Sequence, residues 1–203
     1  MYPEELAAVV QFHGHFCPGL AIGVRAAQLA LHEIGPHAAD EEVVAIVETD
    51  MCGVDAIQFM TGCTFGKGNL IHLDYGKSAF TFIRRLDGKA IRLVMRAQPR
   101  DEANAEQRQL TARIQSGEAS PDEHERFQEL FQQRGQAILD LPLNTLFEVQ
   151  TVEPRIPAKA RVRESIQCEA CGEMVMETRT REIDGGLACI PCAEKRLSDI
   201  GKN

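Results

Sequence analysis

His13, His15 and Cys17 alternate along the run Phe12-His13-Gly14-His15-Phe16-Cys17-Pro18-Gly19. In an extended backbone every second side chain points the same way, so the spacing predicts three metal donors facing one volume. Neutral imidazole nitrogen and thiolate sulfur suit zinc, iron, nickel or copper, whereas magnesium and calcium prefer oxygen. A second block, Asp50-Met51-Cys52-Gly53-Val54-Asp55, runs on to Thr61-Gly62-Cys63-Thr64-Phe65-Gly66-Lys67-Gly68 and brings further reactive groups. Cys17 precedes one expected helix and Cys52 lies in the first turn of another, where free amides and the helix dipole stabilise a thiolate. The candidate core metal site is therefore His13, His15, Cys17, Cys52 and Cys63, and the candidates for catalysis are Cys17, Cys52, Asp55, Cys63 and Lys67. Asp55 shares a helical face with Cys52, where it could orient a histidine or act as a base. Gly62, Gly66 and Gly68 permit a tight loop around Cys63 and Lys67 whose amides could hold an anion. It is not a nucleotide-binding P-loop, which needs four residues before its Gly-Lys pair and then Ser or Thr, whereas Gly68 follows Lys67 here. The competing reading is a dry core with satisfied histidines and inert thiols.

Four further cysteines form the most specific pattern in the chain. Cys168-x2-Cys171 and Cys189-x2-Cys192, with seventeen residues between the pairs, match a structural four-thiolate zinc site. Four ligands close the tetrahedron, so this metal supplies folding energy and not chemistry. Asp184-Gly185-Gly186 is expected to turn a strand over 175–181 into another over 187–190, before a helix over 193–200 in the manner of a treble-clef or ribbon-like finger. Arg179, Arg181, Lys195 and Arg196 give the tail some basic character.

The elements that must position these groups follow from periodicity and punctuation. A short helix is expected over 3–12, and a second from Pro18 to Gly35-Pro36 with Leu20, Val24, Ala27, Leu31 and Ile34 on one face. Ala21, Gly23, Ala26 and Ala30 give that helix a small-residue face for a sheet or a dimer partner. Val43 to Val47 reads as a buried strand, after which Thr49 or Asp50 caps a helix running to about Met60. Short strands follow over 70–74, 79–85 and 90–95, the last two joined by the hairpin signal Asp87-Gly88. Residues 101–139 form a helical hairpin, broken by Gly117 and reopened by the capping box Ser120-Pro121-Asp122-Glu123. A last strand over 146–152 precedes Pro154 and Pro157. The expected organisation is an α+β core over 1–155, a linker over 156–164 and a zinc-finger domain over 165–203.

At 203 residues and 44% hydrophobic content the chain can bury an ordinary core. Its longest apolar runs fall far short of the roughly 18 residues of a membrane span, and the amino terminus has no signal pattern, so a cytoplasmic location is expected. Seven cysteines in groups of three and four suit metal or thiol chemistry in a reducing compartment better than disulfides. A net charge of −8 disfavours general phosphate-backbone binding and leaves only the finger as a nucleic-acid surface.

Phe-His-Gly-His-Phe-Cys-Pro-Gly-Leu-Ala-Ile-Gly at 12–23, Cys-Gly-Val-Asp-Ala-Ile-Gln at 52–58 and Thr-Gly-Cys-Thr-Phe-Gly-Lys-Gly-Asn-Leu at 61–70 together resemble the formylmethanofuran dehydrogenase E-subunit family. The tail is similar to the zinc finger some members append. The resemblance implies a mixed sheet with flanking helices, a metal-associated cavity at the histidine and cysteine motif, and homodimerisation. It also implies association with an anaerobic oxidoreductase, as a metal- or cofactor-handling accessory, because no pterin-binding domain or ferredoxin-type cysteine run occurs here. Expected cofactors are structural zinc in the tail and zinc, nickel or iron in the core. Two other readings compete: a stand-alone metalloenzyme or thiol enzyme using the core cavity, and a regulator that senses a metal or small molecule and contacts nucleic acid through the finger.

Overall fold

The computed structural model describes residues 3–97, 102–183 and 185–200. The chain divides into two compact units, Met1–Lys159 and Ala160–Asn203.

The first unit is built on a five-stranded sheet of order β2-β1-β3-β4-β5, comprising β1 (Val43–Val47), β2 (Leu70–His72), β3 (Ala79–Arg84), β4 (Ala90–Met95) and β5 (Phe147–Thr151). β1 and β2 run parallel through a crossover that contains helix α3 (Gly53–Thr61), and the other pairings are antiparallel, so the sheet is mixed. The Asp87-Gly88 turn forms as its sequence dictates: Gly88 takes φ 75°, and Asp87 is gripped by Arg84 at 2.6 Å and by the Lys89 amide at 3.1 Å.

Alternation assigns the two sheet faces. Val43, Ala45, Val47, Phe80, Phe82, Ile91, Leu93 and Phe147 face the main core, where α2 (Pro18–Glu33) supplies Ile22, Ala26, Leu29 and Ala30. Helices α3 and α5 (Pro121–Asp140) pack on α2 in turn, and α5 is paired with α4 (Glu102–Gln115). The capping box at Ser120 is complete in both directions. Asp101 lies outside the described residues. A short helix α6 (Leu143–Leu146) takes the first residue of the expected last strand and leads into β5. On the opposite sheet face Val44, Ile83 and Ala90 form a smaller cluster joined by Ile46, Ile71 and Val152. Arg92 pairs there with the nearly buried Glu48 at 2.8 Å and 3.0 Å.

The small-residue face of α2 is spent inside the protomer. Ala21, Ala26 and Ala30 are buried in the main core, and Gly23 meets Gly53 of α3 so closely that a Cβ on it would lie 2.0 Å from the Gly53 carbonyl oxygen. Two further expectations need correction. Neither Thr49 nor Asp50 caps α3: the Thr49 hydroxyl takes the Met51 amide, Asp50 is exposed, and the cap position belongs to Cys52. The segment after Val152 is also not a free linker, because Pro157 accepts a hydrogen bond from Arg85.

The second unit contains two hairpins and a helix. β6 (Ser165–Gln167) pairs with β7 (Met174–Met176), a 3-10 turn over Glu177–Arg179 follows, β8 (Thr180–Ile183) pairs with β9 (Gly186–Cys189), and α7 (Ile190–Ile200) closes the unit. Val175 therefore belongs to the first hairpin and not to one strand over 175–181; the 3-10 turn breaks that run. Asp184 of the expected turn lies outside the described residues.

Candidate functional site

The core cluster is assembled from the ends of three helices. Helix α1 (Pro3–His13) buries Val9 and packs on α3, which carries its last residue, His13, to the cluster. Gly14 closes the helix by donating to Val10 at 2.7 Å with φ 100°, a conformation that favours glycine. The chain then straightens through Cys17 (φ −151°, ψ 163°), whose Sγ accepts the Leu20 amide at 3.2 Å and so caps α2. Cys52 caps α3 with its backbone, and its thiol makes no capping bond. The glycine contact between α2 and α3 brings these two caps together: a Cβ on Gly19 would lie 3.2 Å from Cys52 Cβ and 3.8 Å from both sulfurs.

His13, His15, Cys17 and Cys52 consequently offer four donor atoms all within 4.8 Å of one another. The expected donors converge, although not by strand alternation, since His13 is helical and Gly14 turns the chain before the extended stretch begins. Shifts of under about 1 Å per donor would bring all four to bond lengths of about 2.0–2.3 Å around one ion. His13 carries the clearest mark of such an occupant. Its Nδ1 donates to Asp55 Oδ2 at 2.7 Å, which leaves Nε2 as the acceptor nitrogen, and Nε2 is buried without a partner. A carboxylate behind the second nitrogen is the usual outer support of a metal-bound histidine. Asp55 thus occupies the orienting position expected of it.

Burial raises the Cys17 thiol above its ordinary value, against the pull of the Leu20 amide, and the neighbouring Cys52 raises it further. The helix terminus alone does not deliver a thiolate there, and a bound cation would.

Cys63 and Lys67 are not brought to this cluster. Cys63 is fully buried, donates to the Val43 carbonyl at 3.5 Å, and is pushed up by burial. Lys67 Nζ donates to the Ala38 carbonyl at 3.1 Å. Nor is the glycine-rich loop an anion cradle. The Cys63 and Lys67 amides go to Thr61 and Thr64 hydroxyls, and the Thr64 amide goes to Asn69 Oδ1. Asn69, fully buried, also donates to the Asp40 and Val43 carbonyls. It organises a loop that sequence reading assigned to Cys63 and Lys67; an asparagine ending a glycine run is the one local signal of that role.

Sequence reading also passed over the rim. Phe12, Met51 and Phe59 are 55%, 47% and 39% exposed, and the two phenyl rings tilt together at 5.7 Å. Each is next to a donor or one turn from Asp55, and each reads from sequence as ordinary core.

In the second unit Cys168, Cys171, Cys189 and Cys192 also lie within 4.8 Å of one another. The Gly172 amide folds back on the Cys168 carbonyl at 2.8 Å, the Cys189 amide donates to Cys168 Sγ at 3.2 Å, and Cys192 sits in the first turn of α7. The Cys189 amide, with the Cys171 amide, draws the Cys168 thiol down to about 6, while the neighbouring sulfurs of Cys189 and Cys171 push Cys192 up to about 12. The four sulfurs cannot all ionise side by side without a cation between them.

Comparison with known proteins places both units. Residues 162–196 match the prokaryotic dksA/traR C4-type zinc finger. A curated relative, the probable S-adenosyl-L-methionine-binding protein of Archaeoglobus fulgidus, is 35% identical over 199 residues; the match takes in 95% of this chain and 53% of the relative, so the chain spans about half its length. The crystal structure of an FmdE-like protein, of the tungsten formylmethanofuran dehydrogenase type, from Syntrophus aciditrophicus has the same fold, with a TM-score of 0.61 at 23% identity over 95% of this chain and 91% of that one. Residues 12–148 match the family model described as FmdE, molybdenum formylmethanofuran dehydrogenase operon, and by that match, which takes in the His/Cys cluster and the sheet behind it, the chain belongs to the FmdE family.

Proposed function

We propose that the chain is a metal-binding protein with two centres of different purpose. Zinc at Cys168, Cys171, Cys189 and Cys192 holds the finger together, and a transition metal (zinc, nickel or iron) is bound in the core by His13, His15, Cys17 and Cys52. The buried, partnerless Nε2 of His13 among three further donors carries this reading. When bound, the core ion supplies Lewis acidity and ionises both thiols; Asp55 holds the His13 tautomer, and the glycine contact of α2 with α3 holds the two cysteine caps in register.

The role best supported is that of an accessory, handling a metal or cofactor for an anaerobic oxidoreductase. The family description names a formylmethanofuran dehydrogenase operon, and the cluster offers donors without a catalytic base placed beside them. Homodimerisation is proposed on the family resemblance alone, since the face of α2 that pointed to it is occupied within the protomer. Light scattering at high micromolar concentration tests it, and a monomer mass overturns it.

A second reading, S-adenosyl-L-methionine binding, comes from the name of the Archaeoglobus relative. Equilibrium dialysis against that compound decides it. The test of the leading reading is elemental analysis of anaerobically purified full-length protein. Two metal ions per chain are expected, falling to one in His13→Ala/Cys52→Ser with the sheet intact by circular dichroism. One ion in the parent protein, or two in the variant, overturns the core centre.

A further inference from the structure

The four core donors are not held equally. His13 is locked by Asp55 at 2.7 Å and is part-buried. Cys17 is 1% exposed and tied to the Leu20 amide. Cys52 is fixed by its place at the cap of α3 against Gly19. His15 differs in every respect. It is exposed, and among the described residues no hydrogen bond fixes either of its ring nitrogens. Its neighbour Gly14 has φ 100° and nothing within 4 Å of where a Cβ would stand, so the backbone that carries the imidazole is unconfined on that side.

We propose that His15 is a displaceable ligand of the core metal, and that the position it vacates takes an exogenous thiol with an apolar substituent; this rests on the core-metal reading above. The class of ligand follows from the surroundings. An ion already held by two sulfurs accepts a further soft donor. Phosphate or carboxylate oxygen gains nothing comparable, because the charged groups flanking Cys52 are the acids Asp50 and Asp55. The exposed Phe12, Phe59 and Met51 stand on the elements that carry His13, Asp55 and Cys52, and they offer an apolar substituent a surface to cover. In the exchange the bond from metal to imidazole nitrogen breaks, a metal–sulfur bond forms, the S–H proton passes to water, and no electrons are transferred.

Cadmium-113 NMR of the full-length protein, loaded with that isotope at both centres, tests the inference with phenylmethanethiol as the probe. Two resonances are expected, the finger's at higher frequency because four sulfurs deshield cadmium more than two sulfurs and two nitrogens. Added thiol should move the core resonance toward the finger's and leave the finger's in place. His15→Ala should retain both ions and reach the same endpoint at roughly tenfold lower thiol, because no internal ligand competes. Phe12→Ala/Phe59→Ala should need more thiol, and 2-mercaptoethanol should be a weaker ligand than phenylmethanethiol. A core resonance that ignores thiol, or loss of the core ion in His15→Ala, overturns the displaceable ligand; equal potency of the two thiols overturns the apolar rim. A single cadmium resonance in the untreated protein would instead overturn the core-metal reading itself.

Discussion

The two sulfur-rich clusters have the same number of donors and the same spread, yet they stand in opposite relation to their folds. In the first unit the donors are appended to a core that is complete without them, in which the sheet, α2 and the flanking helices bury Phe80, Phe82, Phe147, Ile34 and Leu93. In the second, the buried cluster consists of Cys168, Ala188, Cys189 and Ala193, so half of it is ligand. Forty-odd residues with so little apolar burial cannot offset their chain entropy. The finger is folded by its metal; the core cluster borrows a fold that exists for other reasons.

The sharpest way to break this contrast is to remove each metal's hold in turn. Cys171→Ser, or chelation, should release residues beyond about 160 to protease while the first unit keeps its melting transition, since structural zinc in such fingers is worth on the order of 10 kcal/mol. A finger that stays protease-resistant, or a first unit that melts with it, would contradict the asymmetry. Gly23→Ala comes next. The added methyl collides with the Gly53 backbone, which cannot swing aside as a side chain could. We expect a loss of about 1–3 kcal/mol in urea unfolding of the first unit and loss of the core ion with the finger's retained, because displacing α3 carries Cys52 away.

Asp55→Asn should act on metal alone. Core affinity is expected to fall by about 10- to 100-fold in competition with a chromophoric chelator, with the metal-free melting curve unchanged. A large drop in metal-free stability would make Asp55 a structural residue. The smallest effect concerns Glu48, whose carboxyl is held below its ordinary 4.5 by the hydrogen bond from Arg92, burial opposing. The unfolded chain binds that proton more readily, so the pair's contribution is present above pH 4.5 and is lost as the pH falls through the lower folded value. Glu48→Gln should therefore be less stable than the parent at pH 7, with the gap narrowing below pH 4.5. A gap that holds constant to pH 3 removes the linkage.

Legibility in the sequence tracked the range of the interaction. The strands at 43–47, 79–84 and 90–95, the Asp87-Gly88 turn and the Ser120 capping box are specified by neighbouring residues, and each forms where its residues indicate. The donors His13, His15, Cys17 and Cys52 were readable as a set, but the reason they meet was not. The apolar residues Val9 and Val10 extend α1 through His13, and contact between two glycines thirty positions apart sets the other half of the cluster. Cys63 failed as a candidate for the complementary reason: proximity in sequence to reactive neighbours says nothing about which side of β1 a thiol will face. The strand at Val175 was misassigned because a 3-10 turn carries little residue signal of its own.

The hydrogen bond from Arg85 to the Pro157 carbonyl bears on where the protein can be cut. Val152 packs on Val44, Ile83 and Ala90, Ile156 reaches to 3.6 Å of the position a Cβ on Gly88 would take, and Pro157 anchors the strap that these residues form. Ending an expressed fragment at residue 155, where the sequence first suggests a boundary, would strip this strap and uncover an apolar sheet face bordered by the exposed backbone of an edge strand, a template for self-association. A fragment carried through residue 159 keeps the cover, so solubility across a ladder of end points should change abruptly between those two positions.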